Sequence, residues 1–262
     1  MQTTWITGAT SGLGKALAVE LANRGASLVL CGRRASALEE LITSLPRKEG
    51  QVYYPLVFDL GEVQDYGELV KEAIAAVGPI HYLVHNAGLS QKGYFEQTAA
   101  AVEDTLWRVN YLSTVALTRA LLPEMVEWGG GQIVVVGSIA GRYGAPFLTT
   151  YSATKHALYG FYESLRYEVE GKGVKVLMVT PGFIKTDIAK KALNEQGEAA
   201  MQDSKAQANG IPPARAARKI YRAMAKKKNG TIVIAKVEIV FLWLRRLSPR
   251  LFHFVIKKLH GL

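Results

Sequence analysis

Short apolar runs alternate with longer amphipathic stretches along most of the 262 residues, and this alternation narrows the available folds more than any other feature. The runs are Trp5-Ile6-Thr7, Leu28 to Cys31, Val52 to Leu56, Ile80 to His85, Gln132 to Val136, Val174 to Thr180 and Thr231 to Ile234. Between them, residues 13–24, 35–45, 63–77, 101–128, 149–170 and 213–228 carry apolar spacings suited to helices. Near-continuous apolar strands joined by helix-length segments describe a parallel sheet covered on both faces, since right-handed crossovers need helices of about that length. The expected architecture is therefore α/β, a doubly wound parallel sheet of seven strands. No Pro/Gly/Ser-rich linker divides residues 1–235, so they are expected to form one domain, followed by a basic amphipathic extension at 236–262.

The turn after the first strand reads Thr7-Gly8-Ala9-Thr10-Ser11-Gly12-Leu13-Gly14. Its glycines permit a tight bend and a close backbone approach, and the following helix N-terminus offers amides and a positive dipole end to a pyrophosphate. Standing between the first strand and first helix of a repeated unit, it has the context of a dinucleotide fingerprint. Thr7, Gly8, Ser11, Gly12, Leu13 and Gly14 are the residues expected to hold the nucleotide. The second strand ends Cys31-Gly32-Arg33-Arg34, with no acidic side chain to hold ribose hydroxyls and repel a 2′-phosphate. A guanidinium makes charge-assisted bonds to that phosphate, so Arg33, with Arg34 beside it, argues for NADP(H) over NAD(H). The plainer alternative makes both arginines solvated residues at a helix start. Asp59-Leu60 follows the third strand and could approach the adenine, or Asp59 could be a simple loop carboxylate.

Tyr151 and Lys155 lie four residues apart, and on a helix they share one face. An ammonium there favours the phenolate and is expected to lower the Tyr pKa from ~10 toward working pH, as a general acid/base requires. Alone, such a pair is a common coincidence of amphipathic helices. It is accompanied by His85-Asn86-Ala87-Gly88, by Asn110, by Ser138 at the end of a strand, and by Pro181-Gly182.

Taken in order, these motifs resemble the short-chain dehydrogenase/reductase family over residues 3–235. Thr7, Gly8, Gly12 and Gly14 match its TGxxxGxG motif, residues 85–88 its NNAG motif with His85 replacing the first Asn, and Tyr151 and Lys155 its YxxxK pair. The resemblance implies a Rossmann-type fold and an enzyme that interconverts a ketone or aldehyde and an alcohol with NADP(H). It implies a catalytic set of Asn110, Ser138, Tyr151 and Lys155. In reduction Tyr151 would protonate the carbonyl oxygen, and Ser138 would donate a second hydrogen bond to it. Lys155 would hold the nicotinamide ribose and keep the Tyr151 pKa low, and Asn110 would connect Lys155 to solvent through its backbone carbonyl and a water. Asn86, Ala87, Gly88, Pro181, Gly182, Ile184 and Thr186 join the cofactor contacts, while His85 reads as structural. A homo-oligomer formed through the helices at 101–128 and 149–170 is implied as well. The competing reading is a regulatory or scaffold protein that binds nucleotide without turnover.

Residues 183–212 are expected to close over the substrate, with helical composition in their later part. Gly141, Tyr143, Ala145, Pro146 and Phe147 would form another wall. These side chains are aromatic, apolar or absent, which favours an uncharged or lipid-like substrate. Thirty-two basic against 22 acidic side chains give a formal charge of +10, and half of the excess lies in residues 236–262, a net +5. There Val237 to Leu247 and Arg250 to Leu259 read as two amphipathic helices joined by Ser248-Pro249, too short to span a bilayer. An interfacial membrane anchor or an extension packed on the cleft both fit. The charge clusters with an apolar tail and no base-reading motif accompanies it, so no nucleic-acid partner is expected. No metal-ligand spacing occurs. Cys31 has no second cysteine to pair with, and because the sequence opens on strand-like Thr3 to Thr7, no leader is expected. A cytoplasmic enzyme, peripheral to a membrane at most, is the expectation.

Overall fold

The computed structural model describes residues 2–201 and 205–260. Seven strands, β1 (Thr3–Ile6), β2 (Ser27–Gly32), β3 (Tyr53–Val57), β4 (Tyr82–His85), β5 (Gly131–Val136), β6 (Val174–Pro181) and β7 (Gly230–Ile234), form one sheet. The order is β3-β2-β1-β4-β5-β6-β7 and every pairing is parallel. The expected runs and the observed strands differ only at their ends. Crossovers are made by α1 (Gly12–Asn23), α2 (Ala35–Ser44), α3 (Tyr66–Val77), α4 (Ala100–Trp107), α5 (Ser113–Glu127), α6 (Thr149–Val169), α7 (Lys205–Ala208) and α8 (Pro213–Ala225). Two further helices, α9 (Glu238–Leu247) and α10 (Pro249–His260), follow the last strand.

Alternate residues of each strand serve opposite cores. Ile6, Leu28, Leu30, Val134 and Val136 meet Leu13, Leu17, Leu21, Leu38 and Ile220 on one face. Trp5, Val29, Cys31, Ile133 and Val135 meet Val70, Leu117, Leu121, Leu158 and Tyr162 on the other. Each fully buried aliphatic or aromatic side chain contributes roughly 1.5–3 kcal/mol, so this two-sided burial is what selects the parallel sheet. Local signals agree with it: Asp65 caps α3 by accepting from the Gly67 and Glu68 amides, and Gly78, at φ 72°, ends that helix. The strand order reverses between β1 and β4, and the crevice at the carboxyl ends of those strands is where the glycine turn, Asn86, Ser138 and Pro181 converge.

Three expectations are corrected. Residues 101–128 are not one α-helix: a π-helical turn, Arg108–Leu112, separates α4 from α5. Helical structure in the later part of 183–212 is limited, among the described residues, to the four of α7; residues 202–204 lie outside the description. The earlier part instead forms backbone bridges, Gln91 with Leu193, Ile184 with Ile211 and Leu193 with Ala199. Tyr143 does not stand free as a cleft wall. It is buried beneath the terminal helices, its ring centroid 6.5 Å from Phe241 and 5.2 Å from Phe252.

Candidate active site

Gly8 and Gly12 adopt φ of +65° and +53°, the left-handed region that a side chain disfavours. A Cβ on Gly8 would stand 2.9 Å from Ala87 Cα, and one on Gly14 would collide with the Gly8 carbonyl and the Asn86 amide. The close approach expected of these glycines is thus partly an approach to the β4 loop. Asn86 secures it: Nδ2 donates to Thr7 O (3.0 Å) and Gly8 O (3.1 Å), while the Asn86 and Ala87 amides donate to Thr7 Oγ1. Ser11 takes the N-cap position of α1 without bonding its helix through its side chain, which leaves its hydroxyl for an anion at that terminus. Leu13 is buried in the core beneath the turn. Thr186 lies across from it, its Cγ2 3.1 Å from where a Gly12 Cβ would be.

At the carboxyl end of β2, Arg33 and Arg34 are exposed. Arg33 Nη1 stands 3.5 Å from Asp59 Oδ2, and Asp59 Oδ1 accepts from the Gly61 amide at 2.8 Å. Leu60 is half-buried beside it. The structure therefore joins Arg33 and Asp59, which the sequence treated separately.

The second cluster sits after β5 and on the first turns of α6. Ser138 caps the short turn Ile139–Gly141, accepting from the Ala140 amide at 3.1 Å, so its own hydroxyl proton is left to give away. Tyr151, Thr154 and Lys155 are all buried on the inner face of α6. Lys155 Nζ donates to Val136 O at 3.1 Å and stands 5.9 Å from the Tyr151 ring centroid. Burial pushes the Tyr151 phenol above its ordinary value, against the smaller opposing effect of a hydrogen bond with Ser138. Burial also holds the Lys155 ammonium down to about 8. The direction for Tyr151 is opposite to the one read from the spacing. Removing a phenolate from water outweighs the Ser138 hydrogen bond, and the neighbouring ammonium is itself desolvated.

Asn110 is fully buried within the π turn. Its side chain bonds outside its own helix: Oδ1 accepts from Leu89 N at 2.8 Å, and Nδ2 donates to Leu89 O at 2.9 Å and Thr154 Oγ1 at 3.1 Å. It thereby clamps the loop after Gly88 to α6. Gly88 is closely surrounded: a Cβ there would sit 3.2 Å from Asn110 Oδ1 and 3.4 Å from Lys155 Nζ. His85 is buried and structural, as expected: Nε2 pairs with Thr118 Oγ1 at 2.8 Å, and desolvation pushes the imidazole down to about 3, keeping it neutral. Pro181 and Gly182 end β6, with the Gly182 amide donating to Ile234 O, and Ile184 is buried against Ile211.

Three residues of this region escaped the sequence reading. Gln91, fully buried, accepts from the amides of Thr150 and Tyr151. Glu238, at the start of α9, accepts from the Phe183 amide at 2.9 Å and the Lys236 amide at 2.7 Å, tying the terminal helices to the turn after Pro181. Arg142 is a cation inside the apolar wall, but its guanidinium lies 4.6 Å from the Tyr159 ring centroid and 3.2 Å from Glu163 Oε1. Residues 149–169 carry as many basic as acidic side chains, so no charge pattern pointed to Arg142, and a lone glutamine and a lone glutamate carried no signal.

A family model described as short chain dehydrogenase matches residues 2–197. Over 250 residues the chain is 38% identical to Dehydrogenase/reductase SDR family member 7B of Mus musculus, covering 94% of this chain and 77% of that protein. A solved short-chain dehydrogenase from Streptomyces avermitilis has a TM-score of 0.81 at 28% identity, covering 99% of this chain and 98% of its own. A short chain dehydrogenase/reductase from Burkholderia phymatum, in complex with NAD, shares the fold at a TM-score of 0.83 and 24% identity, covering 95% and 94%. With the sheet order, the glycine turn and the buried Tyr-Lys pair already in place, this likeness shows that the chain belongs to the short-chain dehydrogenase family and is an oxidoreductase of that family.

Proposed function

We propose that the enzyme interconverts a ketone or aldehyde and an alcohol using NADP(H), with an uncharged, lipid-like substrate. The observation that carries this reading is the convergence of Ser138, Tyr151 and Lys155 beside the glycine turn at the carboxyl ends of the sheet. When bound, the nicotinamide supplies or accepts the hydride at C4. Thr7, Gly8, Ser11, Gly12, Leu13 and Gly14 would hold the pyrophosphate side, and Asp59 and Leu60 the adenine side. Asn86, Ala87, Gly88, Pro181, Gly182, Ile184 and Thr186 would line the nicotinamide half. Ser11, uncommitted to its own helix, and the cramped glycines suit that task.

In reduction, Tyr151 gives its phenolic proton to the carbonyl oxygen as negative charge develops there. Its raised pKa keeps that proton in place at neutral pH. Ser138, already accepting from Ala140, donates its hydroxyl proton to the same oxygen. Lys155 binds the ribose hydroxyls, and Asn110 links it to solvent through its carbonyl and a water. Arg33 and Arg34 favour a 2′-phosphate. The Arg33–Asp59 pair is solvent-facing and long, so turning the guanidinium to a phosphate costs little.

The outer faces of α9 and α10 present Val240, Trp243, Leu247, Leu251 and Phe254, each 49–78% exposed, among Arg245, Arg246, Arg250, Lys257 and Lys258. That pairing of apolar and cationic side chains supports peripheral contact with an anionic membrane on the cytoplasmic side through 236–262, and delivery of a lipid-like substrate from that surface to the cleft. Leu112 and Tyr167, 51% and 78% exposed within 101–128 and 149–170, support a homo-oligomer through those segments.

The test is a panel of 2-butanone, 2-octanone and 2-dodecanone with NADPH and with NADH. Activity rising with chain length and preferring NADPH is expected, with Tyr151→Phe slower by on the order of 10²–10⁴-fold. Arg33→Ala should raise KM for NADPH about tenfold or more and leave NADH unaffected. Equal use of both cofactors by the native enzyme would sink the Arg33 assignment, and undiminished turnover by Tyr151→Phe the acid/base assignment.

A further inference from the structure

The helix that carries Tyr151 does not cap itself. Leu148 holds its N-cap position and makes no side-chain bond to it, although the first-turn amides of any helix lack intrahelical partners. Gln91, from the loop after β4, fills that need from a distance of 59 residues in sequence: Oε1 accepts from Thr150 N at 3.0 Å and from Tyr151 N at 3.3 Å. Its Nε2 donates to Thr98 Oγ1 at 3.4 Å. Thr98 gives its own hydroxyl proton to Tyr94 O, so it needs a donor there. A carboxamide, with an acceptor at one atom and donors at the other, satisfies all three partners. The backbone of Gln91 meanwhile forms the bridge to Leu193, flanked by Lys92 N donating to Leu193 O and Leu193 N donating to Ser90 O. One fully buried residue thus touches both the segment over the cleft and the peptide units of the catalytic turn.

We propose that Gln91 is a positioning residue that couples the seating of the 188–200 segment to the orientation of Tyr151. The coupling runs through its backbone on one side and its Oε1 on the other, with Thr98 fixing the amide's rotation. A displaced segment pulls the Gln91 backbone, and with it the acceptor that orients the first turn of α6. Displacements of about 1 Å at a reacting group can cost on the order of 10²-fold in rate, so a modest loosening has a large effect. This inference rests on Tyr151 being the proton donor.

The experiment compares Gln91→Met, which removes the acceptor at similar length, with Gln91→Glu, which keeps it and retains the Thr98 contact once Thr98 turns its hydroxyl proton from Tyr94 O to the carboxylate. Turnover of 2-octanone with NADPH is measured below the melting temperature of each variant, and the Tyr151 phenol is titrated by tyrosine ¹³Cζ NMR, its resonance identified by its loss in Tyr151→Phe. Gln91→Met is expected to lower kcat by about tenfold or more with KM within about threefold. It should also shift the Tyr151 titration. Gln91→Glu is expected to restore kcat to within about threefold, while its carboxylate moves the titration to higher pH. The inference is overturned if Gln91→Met turns over like the native enzyme, if Gln91→Glu is as impaired as Gln91→Met, or if the Tyr151 titration is the same in all three. Where 2-octanone is not turned over by the native enzyme, the titration alone decides. Undiminished turnover by Tyr151→Phe would instead strike the reading of Tyr151 as proton donor, and the NMR comparison would still report whether Gln91 orients its ring.

Discussion

Lys155 is a lysine that the fold keeps out of water, and its protonation is coupled to stability as well as to chemistry. Burial holds its pKa at about 8, below the ordinary 10.5. Between those values the unfolded chain binds more protons at this site than the folded one, so the Lys155 contribution improves as pH rises from about 8 toward 10.5 and is least favourable below 8. Replacing Lys155 by Met removes that dependence. The stability gap between the native protein and Lys155→Met, followed by urea unfolding at pH 7, 8, 9 and 10, should therefore move in favour of the native protein above pH 8. The slope should approach about 1.4 kcal/mol per pH unit at most. A gap constant with pH would show that Lys155 is not desolvated as described. The four-residue spacing announced that Tyr151 and Lys155 share a helix face. It could not announce the sign of the Tyr151 shift, because desolvation depends on what covers that face.

At the scale of elements, the glycine turn is a three-way contact among β1, α1 and the β4 loop. Gly14 faces the Gly8 carbonyl and the Asn86 amide, and Asn86 in turn holds Thr7 and Gly8. Gly14→Ala must push this backbone apart, which costs about 1–3 kcal/mol by analogy with overpacking. Its consequence for function should be larger, because the displaced groups are those proposed to meet the pyrophosphate. We expect NADPH affinity, read by the quenching of intrinsic fluorescence, to fall about tenfold or more, with a lowered Tm. Native affinity in Gly14→Ala would mean that the turn does not hold the cofactor. The strands and most helices were legible because each has a period that a run of residues displays. The π turn at Arg108–Leu112 was not, since it interrupts an otherwise helical pattern and coincides with the long-range bonds of Asn110 to Leu89 and Thr154.

In the molecule as a whole, the terminal helices face two ways. Inward, Phe241 and Phe252 cover Tyr143, Arg245 Nη1 donates to Arg142 O at 2.6 Å, and Glu238 holds the Phe183 amide. Outward lie the exposed apolar and basic side chains. On the proposed reading, protein ending at Lys236 should lose co-sedimentation with phosphatidylserine vesicles and a preference for long over short 2-ketones. Retained lipid association after truncation would count against the anchor, and an unchanged ketone preference against a role for these helices beside the cleft. Reading residue by residue did yield two amphipathic helices here, yet left open whether they meet protein or lipid. That division recurs throughout. Periodicity, glycine placement and the order of short motifs are local properties, and they were enough for the doubly wound sheet, the tight glycine turn and the placing of Tyr151 and Lys155 on one helix face. The capping of α6 by Gln91, the joining of Arg33 to Asp59, the anchorage of α9 by Glu238 and the upward push on the Tyr151 phenol all depend on groups far apart in the chain. Burial and hydrogen-bond partners of that kind come into being only when the layers close, because a single polar side chain carries no period by which its distant partner could be foreseen.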